Sequence, residues 1–445
     1  MPTALHGKIS NPAEPPQFGL SLAEDVIVAS DYLRRASAAI KTAAGTPAAA
    51  LKQTVRDTKE AFFRRHATAM YAELTGNLTK PLRVAELVYG AAERFPGLLP
   101  TRAQIAEERA LRKQFAKQGL EIDQGLFVAH VMADEKSGKH LTHAMLRPKR
   151  EAEDRLAEFM RTGFVDLGSA TVRRKDNVGH VTLTNAKFLN AEDDAALTAL
   201  ETAVDLVLLD DKIQAGVLRG GIVQHQKYPG RRIFNAGINL THLYYGQISF
   251  VEFILERELG LLNKIFRGHS HPDHYSDQLE DTVEKPWLGA VDAFAIGGGC
   301  QLLCVMDRVI AEPGAYFNLP ASKEGFMPGA ANLRLPRLTG IQTARHGIFF
   351  EEKFHAGTPA GMMLCDEVVP SDDMDEAIDR NVAQMLAAGF TSSVSNRKGL
   401  RVGLESWDVH RRYMAAYSRQ QSFCFYDPAL ISNLEKSWQP EKRRM

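Results

Sequence analysis

The most constraining stretch of this chain is the apolar run Trp287 to Ile296, which ends in Gly297-Gly298-Gly299 and continues as Cys300-Gln301-Leu302-Leu303-Cys304-Val305-Met306 at helical spacing. A strand that turns into a helix through three glycines leaves bare N–H groups at the helix N-terminus, where no Cβ keeps a ligand oxygen away. Such a terminus favours negative charge, and a donor fixed before reaction stabilises a developing oxyanion. Upstream, Ala170 to Arg174 and Val178 to Thr184 read as β-segments joined by a turn at Asp176-Asn177. A helix from about Ala191 to Leu209 and a strand from Ala215 to Arg219 follow. Strands alternating with helices of that length predict an α/β fold with a parallel sheet and crossover helices.

The first third is different in character. From Ser21 to about Arg161 it is rich in Ala, Leu, Glu, Lys and Arg, with helical periodicity in Leu51 to Leu74 and Leu82 to Ala92, and breaks at Gly45, Pro47, Pro81 and Pro96-Gly97. The 445 residues exceed what one core usually fills. They divide into a helical N-terminal domain (1–167), a catalytic core (168–371) and a helical C-terminal region (372–445), with no fixed-period repeat.

Composition narrows the partners. The 54 Lys and Arg balance 54 Asp and Glu, so no broad basic field attracts nucleic acid or an anionic membrane, and an anionic ligand must be held locally. Cys300, Cys304, Cys365 and Cys424 lack the density of a disulfide scaffold and form no Cys-x-x-Cys pair. Neither the Pro-rich start, Met1 to Leu20, nor any later run has the apolar length of a signal peptide or a membrane span. The expectation is a soluble, cytoplasmic protein with reduced thiols. His269-Ser270-His271-Pro272-Asp273-His274 has metal-ligand residue types, but Pro272 and the short spacing suit an exposed loop, and no metal is expected.

A second amide donor is offered by Arg231-Arg232-Ile233-Phe234-Asn235-Ala236-Gly237-Ile238-Asn239-Leu240, which follows a strand and a polar loop and opens another helical stretch. Taken in order, Asn185-Ala186-Lys187-Phe188-Leu189-Asn190-Ala191, Phe234-Asn235-Ala236-Gly237-Ile238, and Lys285-Pro286-Trp287-Leu288-Gly289-Ala290-Val291 with Gly297-Gly298-Gly299-Cys300 resemble the enoyl-CoA hydratase, or crotonase, superfamily from about Gly168 to Ser371. The resemblance implies a spiral core of ββα units and an oxyanion hole formed by the N–H groups of Ile238 and Gly298. It also implies that Asn185 to Leu189 and the loop before Phe234 hold the CoA nucleotide, with Lys187, His225, Lys227 or Arg231 available to its phosphates. Leu189, Ile233, Asn235, Ala236 and Gly299 are expected to bind the thioester. Crotonases associate as trimers or paired trimers, so a homo-oligomer, trimer or hexamer, is implied as well.

The chain departs from the hydratases at both catalytic carboxylates. The position two residues after the glycine triplet is Gln301, and the end of Phe317-Asn318-Leu319-Pro320-Ala321 is Ala321. Neither can exchange a proton in the working pH range, so hydration loses both of its groups. Glu324, one turn on, reads more readily as a surface group. The helical first third and the helix with Glu256-Arg257-Glu258 bring the resemblance closer to one branch, the cofactor-free dioxygenases of glycopeptide antibiotic biosynthesis. These convert (3,5-dihydroxyphenyl)acetyl-CoA and O2 to 3,5-dihydroxyphenylglyoxylate and CoA. That branch implies CoA thioester and O2 as the ligands, no cofactor, and an enolate held by the oxyanion hole.

Glu192, Arg257 and Gln301 are the candidates for the ring hydroxyls. Each has an ordinary reading too: Glu192 as an acidic residue at a helix start, and Arg257 as one partner of ion pairs on a solvated face. Ile238, Leu240, Phe294 and Ile296 are candidates for an apolar O2 site or for plain core. A crotonase-fold thioesterase or isomerase, or an acyl-CoA-binding protein without catalysis, would carry the same glycine motifs.

Overall fold

The computed structural model describes residues 14–42, 45–270 and 282–442. Twelve strands are present among them: β1 (Phe164–Asp166), β2 (Ala170–Lys175), β3 (Val178–Leu183), β4 (Ala215–Gly220), β5 (His269–Ser270), β6 (Thr282–Val283), β7 (Trp287–Val291), β8 (Phe294–Ile296), β9 (Arg308–Ala311), β10 (Tyr316–Asn318), β11 (Phe354–His355) and β12 (Glu367–Val368). The main sheet runs β1-β2-β3-β4-β7-β9-β12, antiparallel through β3 and parallel from there on. A small sheet, β11-β10-β8, stands beside it.

The parallel strands are apolar on both faces because helices cover both. Ala215, Val217, Leu288, Ala290 and Ile310 pack on Ala377, Ile378 and Val382 of the helix Met374–Leu386. Leu218 and Trp287 join the larger core with Leu197 and Leu200 of the helix Asp194–Leu209. This is the two-residue alternation of a strand buried on both sides. Gly216 is required opposite Trp287, since a Cβ there would come within 2.4 Å of the indole.

The apolar run Trp287 to Ile296 is not one strand. It breaks at Asp292 and Ala293, and its halves serve different sheets. The Asp292 carboxylate is held by Arg219 through two bonds of 2.8 and 2.9 Å, and Ala293 takes a left-handed φ of 59°. Together they turn β8 out of the main sheet and toward the segment around Asn235.

Among the described residues seven α-helices precede β1. Phe62, Phe63, Met70 and Tyr71 of Gly45–Leu74 pack with Leu126 and Phe127 of Glu121–Ala133 in the same core that holds the sheet's inner face. The helix Glu121–Ala133 lies along the C-terminal helix Trp407–Phe425, closely enough that a Cβ on Gly125 would meet Ser422 Cβ at 2.6 Å. Arg411 donates to the carbonyls of Met132 (2.7 Å) and Ala133 (2.6 Å) at the end of the first of these helices. Arg83 reaches from the N-terminal helices to Glu201 (2.8 Å), which Lys264 also pairs at 2.8 Å. Among the described residues no helix is long and apolar enough to cross a membrane.

Candidate active site

Two turns meet at the end of the parallel sheet. In the first, Glu192 N–H donates to the Gly237 carbonyl (2.7 Å) and Asn239 N–H donates to the Glu192 carbonyl (2.7 Å). Extended backbone alternates its polar edges, so the N–H of Ile238, between those two residues, points the other way. In the second, Gly297 N–H donates to the Asn318 carbonyl of β10 (2.8 Å), and Gly298 opens the helix Gly298–Leu303. Among the described residues neither the Ile238 nor the Gly298 amide has a hydrogen-bond acceptor. The turns touch: a Cβ on Gly237 would stand 2.8 Å from the Ile296 oxygen and 3.3 Å from the Gly298 nitrogen. Gly237 has φ 82°, a conformation that side chains resist, and glycine supplies both the angle and the space.

Asn235 ties the turns together. Its Nδ2 donates to Glu192 Oε1 (2.9 Å), and its Oδ1 accepts the Gly237 N–H (2.6 Å). Its carbonyl accepts from Ile296 N–H (3.0 Å), which aligns the segment with β8. Gly299 lies against Asn235, where a Cβ would come within 2.8 Å.

Arg257 closes the cluster from behind. Its Nε and Nη2 grip Glu192 at 2.5 and 3.1 Å, and Nη1 donates to Glu258 (3.0 Å) and to Gln301 Oε1 (2.7 Å). Nη2 also donates to the Gly298 carbonyl (2.8 Å), so the guanidinium fixes the peptide next to the free amide. Burial opposes the arginine's charge, but Glu192 and Glu258 outweigh it and hold the guanidinium above its ordinary range. Glu192, Arg257 and Gln301 are therefore brought together.

The surroundings of two of them differ from the ordinary sequence readings. Glu192 is 2% exposed and stands before the helix start, where Asp193 caps Asp194–Leu209. Arg257 is 4% exposed and not on a solvated face. The backbone over Phe250–Leu255 and Arg257–Leu261 is wound wider than an α-helix, and the adjacent residues Arg257 and Glu258 are both buried. Glu258, which the sequence did not single out, also accepts the Ala330 N–H (2.8 Å).

An apolar wall adjoins the turns. Val223, Ile233, Ala293 and Phe294 form a small cluster, with Leu189, Ala236 and Ile296 packed on it. The rings of Tyr228 and Tyr316, also missed in the sequence, cover Phe294 at 5.7 and 5.6 Å. Leu189 and Asn190 both take φ 56°, and the Asn190 side chain holds that strain by donating to the Ile233 carbonyl (2.7 Å). Ile238 and Leu240 instead pack on the main core.

The phosphate candidates are spread along the rim. Lys187 is exposed, its ammonium 5.0 Å from the Phe188 ring. His225 is half-buried, accepts the Lys227 N–H (3.1 Å) and lies 5.8 Å from Tyr228. Arg231 is engaged by Glu312. The four cysteines are free, and burial pushes the Cys304 thiol up to about 12. Among the described residues no three His, Cys, Asp or Glu side chains converge as a cation site, and His271 to His274 lie outside those residues.

The family model for enoyl-CoA hydratase/isomerase matches residues 173–424. The chain is also 44% identical over 380 residues to the (3,5-dihydroxyphenyl)acetyl-CoA 1,2-dioxygenase of Amycolatopsis orientalis, an overlap of 85% of this chain and 86% of that protein. The chain belongs to the enoyl-CoA hydratase/isomerase family. Within this family it is 29% identical to the short-chain-enoyl-CoA hydratase of Clostridium acetobutylicum over 216 residues, 48% of this chain and 74% of that one. The enoyl-CoA hydratase structure from Bacillus halodurans shares the family fold, with a TM-score of 0.50 at 18% identity over 60% of this chain and 100% of that one. The overlap with the dioxygenase is longer than the chain from Arg173 to its end, so it takes in N-terminal helices as well.

Proposed function

We propose that this protein is a cofactor-independent dioxygenase that converts (3,5-dihydroxyphenyl)acetyl-CoA and O2 to 3,5-dihydroxyphenylglyoxylate and CoA, as a step in glycopeptide antibiotic biosynthesis. The observation that carries the reading is the pair of acceptor-free amides of Ile238 and Gly298, held by the Arg257 cluster, in a chain 44% identical to a dioxygenase of that name. The absence of a carboxylate at Gln301 and Ala321 fits the same reading.

The chemistry follows from what the two amides stabilise. The aryl group and the thioester both acidify the CH2 between them, and two fixed donors on the thioester oxygen favour the enolate. The enolate gives an electron to O2, and recombination forms a peroxide at Cα. The peroxide closes on the thioester carbonyl and expels CoA thiolate. O–O cleavage then gives the keto acid, with one O2 atom in the ketone and the other in the carboxylate. The two CH2 hydrogens leave as protons. Water would quench the enolate, and in this reading the apolar wall of Ile233, Phe294 and Ile296 excludes it from that side.

In this reading the ring hydroxyls meet the cluster of Glu192, Arg257 and Gln301, with Arg257, whose N–H groups are all donated within it, holding Glu192 and Gln301 in place, and Lys187 and His225 meet the CoA phosphates. Residues 168–371 carry the chemistry. The helices of 1–167 cap it or build a trimer or hexamer, toward which Ile341, Phe349 and Phe350 present an exposed apolar edge. The test is oxygen uptake beside CoA release, using metal-stripped protein and the named thioester. One O2 consumed per CoA released supports the proposal, whereas CoA release under nitrogen would make the protein a thioesterase.

A further inference from the structure

A cavity of about 290 Å³ lies where the helices Ala331–Thr339 and Phe390–Leu404 meet the end of the helix Leu262–Arg267. Its apolar lining is Phe266, Cys304, Met306, Leu338, Leu400 and Leu404. Its polar lining includes Arg334 and Arg337, which share one carboxylate, Glu405. Arg267 also pairs with Glu405 (3.1 Å). Among the described residues that carboxylate therefore faces three guanidinium groups.

Arg334 uses Nε and Nη2 on Glu405, both at 3.0 Å, and its Nη1 is buried without an acceptor. Arg337 makes only a long 3.3 Å contact with Glu405, and its side chain keeps 27% exposure. Burial, together with the neighbouring Arg334, pushes the Arg337 guanidinium below its ordinary range despite Glu405. Arg397, on the opposite wall, is already satisfied by Glu284 (2.5 Å) and Asp307 (2.8 Å). A sheltered guanidinium without its full set of acceptors is the counterpart of a missing anion.

We propose that this cavity is a binding site for a small organic carboxylate with an aromatic or short aliphatic body, its carboxylate on Arg334 and Arg337 and its apolar part against Phe266, Leu400 and Leu404. Glu405 occupies the Nε and Nη2 fork of Arg334 but meets Arg337 only at Nη1, so the Nε and Nη2 edge of Arg337 is the fork that matches a carboxylate. The volume takes a single ring with a short side chain and leaves no room for a nucleotide. The site is separate from the two amide turns, yet Arg334 lies in the field of Glu258, the carboxylate on Arg257. The inference does not depend on the reaction proposed above.

The test is calorimetric titration of the full chain with phenylacetate and with its neutral isostere phenylacetamide. The variants are Arg337→Gln, Leu404→Trp at the mouth, and Glu192→Gln at the other site. The expected result is phenylacetate binding that weakens about tenfold in Arg337→Gln, disappears in Leu404→Trp and persists in Glu192→Gln, with no binding of the amide. If Arg337→Gln fails to fold, Leu404→Trp still decides the matter. Equal binding of the amide, wild-type affinity in both cavity variants, loss in Glu192→Gln alone, or no binding at about 10 mM phenylacetate would each overturn the proposal.

Discussion

Gly298 is where the account is most sensitive to single atoms. A Cβ there would lie 2.9 Å from both Arg257 Nη2 and Glu192 Oε1, so Gly298→Ala must push the guanidinium and the peptide apart. The amide survives but its aim does not. The expected loss in kcat/KM for CoA release is on the order of 10²-fold, with the urea midpoint little changed. Arg257→Gln should act differently, since it strands Glu192 and Glu258 in a buried site. About 3–5 kcal/mol of folding stability is expected to go, and adding Glu192→Gln should restore part of it in urea titrations.

At this scale the glycine turns lie where the sequence puts them, and Glu192, Arg257 and Gln301, its candidates for the ring hydroxyls, meet in one cluster. The burial of Arg257 could not be read from the sequence. Glu256-Arg257-Glu258 has the composition of a solvated face, and only the wide backbone turns, which no residue pattern announces, place Arg257 and Glu258 inside.

Among the elements, the strands flanking the turn at Asp176-Asn177 and strand β4 lie where the β-rich segments of the sequence place them. The break in Trp287 to Ile296 was hidden, because an apolar run does not reveal that Arg219 will bind Asp292 from a distant strand. The short helix Ala321–Glu324 makes a pH prediction. Burial, with Glu351 nearby, pushes the Glu324 carboxyl up to about 8, so the folded protein keeps a proton that the unfolded chain releases near 4.5. This contribution is present in full below pH 4.5 and is lost as pH rises through 8. Glu324→Gln should remove that part of the slope in urea midpoints measured from pH 5 to 8.5, and an unchanged slope would contradict the burial. The contact between Glu121–Ala133 and Trp407–Phe425 gives another prediction. Gly125→Val has no space beside Ser422, and the overpacking should cost ~1–3 kcal/mol, read as a lower thermal midpoint.

For the molecule as a whole, the helical first third was legible from its periodicity. Its sharing of one core with the sheet and the C-terminal helices was not, because contacts such as Gly125 with Ser422 join residues about two-thirds of the chain apart. The proposed assembly predicts a sedimenting species of three or six 49.3 kDa chains, and a stable single chain at micromolar concentration would contradict it. The central claim is that both oxygen atoms of one O2 molecule enter the product of an enolate held by two backbone amides. It is tested most directly by turnover of (3,5-dihydroxyphenyl)acetyl-CoA under ¹⁸O₂ in unlabelled water, with mass analysis of the arylglyoxylate before its ketone exchanges. The account predicts one labelled oxygen in the ketone and one in the carboxylate. An unlabelled carboxylate, holding the thioester's own oxygen and one from water, would contradict it, because hydrolysis of the thioester would then precede or replace the reaction with O2.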